Sequence, residues 1–247
     1  MRLPSPAPEV LSRLTNGNAS RVPSSAPGFF KRNGLGLTAV ALFLVVFVVG
    51  QSWAGMRTYN ADREEHGEPP VDYLEYLTTA HFGEATFENW ESEFLQMGAY
   101  VLLTVWLLQR GSAESKSFDG PEPVDEDPAK HRNDPDAPWP VRRGGLLLTL
   151  YKNSLSIAFF TLFALSWLLH GLTGNAEFNE EQLAHGQPTI SYWEFLHRAE
   201  FWFQSMQNWQ SEFLAVAAIV LLSVFLRQQG SPESKPVHAP HHTTGSG

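Results

Sequence analysis

Two glutamates stand where a carboxylate is expensive. Glu93 and Glu212 sit in the recurring motif Asn-Trp-x-Ser-Glu-Phe-Leu, spelled Asn89-Trp90-Glu91-Ser92-Glu93-Phe94-Leu95 and Asn208-Trp209-Gln210-Ser211-Glu212-Phe213-Leu214. Each motif leads into an apolar run, Phe94 to Leu108 and Phe213 to Leu226, too short to cross a bilayer alone. A helical crossing takes about 20 residues at a rise of roughly 1.5 Å each, so the count back from Leu108 reaches Asn89 and from Leu226 reaches Gln207. Glu93 then lies roughly 22 Å from Leu108, in the outer part of a hydrocarbon core of roughly 30 Å. A carboxylate there must be paired, protonated or turned toward a polar interior. Two readings follow. In one, the glutamates latch the helices by bonding to Asn89, Asn208, Trp90, Trp209, Ser92 or Ser211, or reach out to headgroups. In the other, they form a proton- or cation-binding pair near a shared axis. Glu93, Gln96, Tyr100 and Thr104 form a polar stripe at helical spacing, but the matching Glu212, Ala215, Ile219 and Ser223 largely lose it, which weighs against a symmetric pore.

The histidines are the other groups able to do chemistry. His66 and His185 each open His-Gly-x-Pro on the outer segments, where Gly and Pro predict a turn and metal ligation is the alternative role. His81-x-x-Glu84 and His197-x-x-Glu200 put imidazole and carboxylate on one helix face, a spacing that di-metal bundles also use. Those two pairs are not equivalent, since His81 matches Glu200 and His197 matches Thr78 at the repeat offset. His170 closes the third apolar block, where it caps the helix or meets a headgroup; its counterpart is Gln51. These patterns single out no metal, cofactor or catalytic residue.

These residues must be held by helices. Four apolar blocks stand out: Leu35 to Trp53, Phe94 to Leu108, Leu155 to Leu169 and Phe213 to Leu226. The third extends back through Leu146–Tyr151 if Lys152 snorkels. All are apolar on every face, unlike the amphipathic core helices of soluble proteins. The first resembles a signal peptide, but its partner, the third, lies mid-chain. Lys and Arg number five before the first block, two between the first and second, seven in the central linker through Lys152, one between the third and fourth, and two in the tail. The alternation places both termini and the linker in the cytoplasm.

The chain repeats itself. The offset 208 − 89 = 119 relates the two Asn-Trp motifs, and it also maps His66-Gly67-Glu68-Pro69 onto His185-Gly186-Gln187-Pro188. Tyr73-Leu74-Glu75-Tyr76-Leu77 maps onto Tyr192-Trp193-Glu194-Phe195-Leu196, and Gly111-Ser112-Ala113-Glu114-Ser115-Lys116 onto Gly230-Ser231-Pro232-Glu233-Ser234-Lys235. A one-residue slip aligns Arg32-Asn33-Gly34-Leu35 with Lys152-Asn153-Ser154-Leu155. Each unit has two crossings, so the units are parallel rather than inverted. The expected fold is an all-α integral membrane protein. Its transmembrane helices, at about 35–53, 89–108, 150–170 and 208–226, form two parallel tandem repeats of two helices each. Amphipathic interfacial helices precede the second and fourth, with Glu75, Glu84, Glu88 and Glu91 opposite the aromatic face. Around units 31–116 and 146–235 lie a disordered cytoplasmic tail (1–30), an acidic Pro-rich linker (117–145) and a flexible tail (236–247).

Composition excludes more than it identifies. A net charge of −9 argues against a nucleic-acid partner, and the absence of Cys removes thiolate chemistry. No nucleophile elbow, phosphate loop, dinucleotide fingerprint or HExxH occurs. The repeated motifs, with the linker run Pro135-Asp136-Ala137-Pro138-Trp139-Pro140-Val141-Arg142-Arg143-Gly144-Gly145, resemble over about residues 30 to 236 an uncharacterised bacterial integral-membrane family catalogued only as a domain of unknown function. The resemblance implies a bacterial inner-membrane setting and supplies no activity. The expectation is a multi-pass, non-enzymatic scaffold or accessory subunit, with the lipid bilayer, other membrane proteins or a second copy as partners. A small proton or cation channel using Glu93 and Glu212 is the alternative. A metal- or haem-dependent redox protein is a more distant one.

Overall fold

The computed structural model describes residues 28–245, so most of the expected N-terminal tail lies outside the described residues. Packing divides the chain into two units, Met1–Gln51 and Ser52–Gly247. The described residues are helical, with no strand among them.

The first unit holds α1 (Phe29–Val45), none of whose side chains is buried. A π-helical stretch, Val46–Trp53, follows and continues into α2 (Ala54–Glu65). A π-turn takes up one residue more than an α-turn. The one-residue slip between the repeats falls in this interval, since the offset is 120 at Leu35 and 119 at His66. The extra residue is therefore absorbed without breaking the helix.

The second unit is a bundle of long helices. After α2 come the single turn α3 (Tyr73–Tyr76) and the long α4 (Ala80–Trp106). Thr79 caps α4 by accepting from the Phe82 N–H at 3.2 Å. The segment read as an interfacial helix thus joins the expected crossing from Asn89 in one helix. The linker is no bare extended chain: it has 3₁₀ turns at Pro123–Asp125 and Pro128–His131, then helix α5 (Trp139–Arg143). α6 (Gly145–Tyr151) and α7 (Ser154–Ala184) are separate, so Leu146–Tyr151 does not prolong the helix of the third apolar block. Asn153 marks the break, its amide donating to the Thr149 carbonyl at 2.8 Å. The one-turn α8 (Tyr192–Leu196) carries a Ser191–Glu194 capping box, and α9 (Ala199–Leu222) completes the set. Two helical stretches, Phe29–Glu65 and Ser154–Ala184, are long and apolar enough to cross a membrane.

α4 packs along α7, and small residues bring them close. A Cβ at Gly83 would lie 2.5 Å from Thr173 Cγ2, and one at Gly98 would lie 3.2 Å from Phe159 Cβ. Phe178, Phe195 and Phe201 form the buried apolar cluster, with Trp167, Ile190 and Leu196 against it.

Hydrogen bonds recur 119 residues apart. Asn60 clamps Val71, donating to its carbonyl at 2.9 Å and accepting its N–H at 2.8 Å. Asn179 clamps Ile190 at 2.9 and 2.8 Å. Ser92 donates to the Asn89 carbonyl, and Ser211 to that of Asn208, both at 2.8 Å. Ser115 accepts the Gln109 N–H and Ser234 that of Gln228, both at 2.9 Å. The Gly-Ser-x-Glu-Ser-Lys motifs are therefore built turns, entered through Gly111 (φ 83°) and Gly230 (φ 85°), a conformation that Gly alone adopts freely.

Candidate functional site

The buried polar centre lies where α4, α7 and α9 meet. Glu84, Glu88 and Glu91 follow one another at spacings of four and three, so they share a face of α4. That face points into the bundle. Glu91 and His170 have no exposed surface, and His170 Nδ1 lies 3.0 Å from Glu91 Oε2. The other oxygen, Glu91 Oε1, accepts from Trp209 Nε1 at 3.2 Å. On the far side of the ring, His170 Nε2 lies 3.4 Å from Gln204 Oε1. Gln204 is turned that way because its Nε2 donates to Glu84 Oε1 at 2.9 Å. Asn208 donates to Glu88 Oε1 at 2.6 Å, one turn further along.

Gln204 Oε1 only accepts, so Nε2 carries the hydrogen that faces it, while His170 Nδ1 and Glu91 Oε2 share one proton between them. The pair is covered by the Phe201 ring at 4.9 Å between centroids. Buried polar groups persist when hydrogen-bonded, and both members of this pair are. Below it the bundle closes: Gly98 backs onto Phe159 and Phe160.

The residues singled out by motif fall in different places. Glu93 is exposed and Glu212 is half-buried, while Gln96 Nε2 donates to the Glu212 main-chain oxygen at 3.2 Å. The buried glutamate of the motif is Glu91, whose repeat counterpart is Gln210. Asn208 and Trp209 reach across to the other copy's glutamates, whereas Asn89 bonds to the Ala85 carbonyl of its own helix at 2.8 Å. Trp90 packs edge-on against Phe87 and Phe94. Ser92 is buried and Ser211 exposed. Glu91 and His170 were missed as a pair. The available signal was the four-three spacing of three glutamates beside the lone ionisable residue ending the third apolar block.

His66 and His185 meet, their rings edge to face with centroids 6.0 Å apart. Each Nδ1 donates to the carbonyl four residues back, Asp62 at 2.9 Å and Glu181 at 2.8 Å, so both finish their helices. His81 lies 3.1 Å from the Tyr76 hydroxyl and its pKa is lowered by burial; His197 bonds the Trp193 carbonyl. Among the described residues, no three His, Asp or Glu side chains converge as a metal site.

Beyond the apolar run that ends at Leu169, α7 lines a cavity of about 510 Å³ with Tyr59, Asp62, Arg63, Glu68, Glu177 and Glu181 among its walls. Burial, with Glu84, Glu180, Glu181 and Asp62 nearby, raises Glu177 from 4.5 to about 7. Burial also raises Glu84, against the lowering effect of the hydrogen bond from Gln204. A carboxyl raised on folding binds its proton more tightly in the folded state. Its contribution is complete below the ordinary carboxylate range and is lost as pH rises through about 7. Thermal unfolding in detergent is expected to show stability falling from about pH 5 to about pH 8, and Glu177→Gln to flatten that fall. An equal slope in the variant would assign the effect elsewhere.

Fold and centre define a protein helical throughout its described residues, with helices able to cross a membrane and a buried, hydrogen-bonded His–Glu pair. Over residues 26–246 the chain matches the family described as a domain of unknown function, DUF6766, and it belongs to that family. No match is found among curated proteins or among solved structures.

Proposed function

We propose that the chain crosses the bacterial inner membrane four times, as two parallel copies of one two-helix unit with both termini in the cytoplasm. It acts without catalysis, as a scaffold or accessory component of a membrane assembly. The recurrence of hydrogen bonds at the 119-residue offset and the alternation of Lys and Arg support the architecture. The observation that carries the function is the closed polar centre. His170, Glu91, Gln204, Glu84 and Trp209 are spent on one another, as a latch between helices. The apolar surface of α1 is left for lipid or another protein.

Reversible cross-linking in native membranes, followed by mild-detergent purification, is expected to yield this chain with another polypeptide at fixed stoichiometry. Recovery of this chain alone would overturn the reading. A second reading, proton or cation handling, rests on the His170–Glu91 pair rather than on Glu93 and Glu212. It requires a proton flux in proteoliposomes that disappears in Glu91→Gln while Glu93→Gln plus Glu212→Gln retains it.

A further inference from the structure

A basic cluster lies away from the polar centre. Residues 139–153, Trp-Pro-Val-Arg-Arg-Gly-Gly-Leu-Leu-Leu-Thr-Leu-Tyr-Lys-Asn, hold Arg142, Arg143 and Lys152 and no acid. Arg132 joins them from the linker. Its Nε and Nη2 donate to the Arg142 and Arg143 carbonyls, both at 3.3 Å, and its guanidinium lies against Gly144. Three arginines therefore gather at the elbow between α5 and α6. Among the described residues none of them has an acidic partner within ion-pair distance. Of the linker's acids, Asp125 pairs with Lys116 and Glu126 with Lys130 and His131, while Asp127 and Asp134 accept from the backbone N–H groups of Ala129 and Asp136.

The adjoining helix is apolar and uncovered. α6 has no buried residue, with Leu146 at 75% and Leu150 at 49% exposure, and Trp139 beside the arginines at 58%. Guanidiniums crowded together without counter-charge call for an anion, and a bare leucine helix calls for hydrocarbon. An anionic phospholipid supplies both. Trp and Tyr at the two ends, here Trp139 and Tyr151, fit the headgroup level.

We propose that the α5–α6 elbow binds an anionic phospholipid of the cytoplasmic leaflet. Its phosphate is held by Arg142 and Arg143, and its acyl chains lie along Leu146 and Leu150. Arg132 is a positioning residue that fixes the end of α5. The shared chemistry is a phosphate-bearing anion; the leucines commit the site to lipid rather than free phosphate. The inference rests on the membrane reading above.

The test uses the full chain in nanodiscs of phosphatidylcholine, with and without phosphatidylglycerol, and follows lipid retention by native mass spectrometry and thermal unfolding. Phosphatidylglycerol is expected to be retained and to raise the unfolding temperature. Arg142→Ala plus Arg143→Ala is expected to weaken retention roughly thirtyfold. Both side chains are exposed, so circular dichroism is expected to stay unchanged. Leu146→Ser plus Leu150→Ser, with both arginines kept, is expected to weaken retention as well. Retention unchanged in the arginine variant overturns the proposal, as does an equal effect of inorganic phosphate on protein in phosphatidylcholine. Failure of the membrane reading looks different: the chain would be extracted without detergent.

Discussion

His170→Ala is expected to destabilise the folded chain by about 3–5 kcal/mol, the cost of leaving one member of a buried pair uncompensated. Glu91 has no exposed surface, and without His170 only the Trp209 N–H faces its carboxyl group. Removing Glu91 instead leaves the buried His170 ring without its Nδ1 partner, beside Phe201 and Gln204. The informative comparison is Glu91→Leu plus His170→Leu. Buried ion pairs replaced by apolar residues of similar size are often neutral or stabilising by about 1–4 kcal/mol, so the double variant should recover most of the loss. Denaturation followed by circular dichroism in detergent measures all three. If the double variant is as unstable as the sum of the singles, the two residues act independently and the latch does not exist.

Lys235→Met is expected to release the last segment of the described chain. Lys235 is 1% exposed, and its ammonium donates to the carbonyls of Gly111, His241 and Thr243. That cage fastens 236–245, expected from sequence to be a flexible tail, onto the turn after α4. Gly111 N–H donates to Thr244 Oγ1 at 2.9 Å, Gly245 N–H to the Ser112 carbonyl at 2.9 Å, and Arg227 to the Ala239 carbonyl at 3.3 Å. Hydrogen bonds to a charged group are worth about 1.5–3 kcal/mol each, so the strap should open locally long before the bundle unfolds. Limited proteolysis should cut between 236 and 245 in Lys235→Met and spare the parent. Equal resistance in both would show that the strap holds without the lysine.

The helices were legible because apolar length and repetition announce them. Their boundaries were less so. α4 and α9 each begin nine residues before the Asn89 and Asn208 that open the expected crossings, because caps such as Thr79 extend the helix beyond its apolar part. The buried centre is hard to read in the sequence for a specific physical reason. The face with Glu84, Glu88 and Glu91 reads as solvent-facing by the rule for soluble helices. In the bundle α4 turns that face inward, against α7 and α9. The partners of those carboxylates, Gln204, Asn208 and Trp209, lie far away in sequence. No local pattern pairs them. Nothing in the composition of the tail announces a carbonyl cage around a lysine.

The ties on α4 and α9 have a mechanical consequence. At one end Glu84, Glu88 and Glu91 bind Gln204, Asn208 and Trp209. Past the other end, in the turns that follow the two helices, the Ser112 and Ser223 hydroxyls meet at 3.0 Å beside the Lys235 cage. A pair of rods pinned at both ends cannot open like scissors at either. Were the two helices to cross a bilayer as proposed above, one thinner or thicker than they prefer would make the pair lean as one body. Bilayer thickness would then be read out as tilt, delivered undivided to whatever rests against these helices.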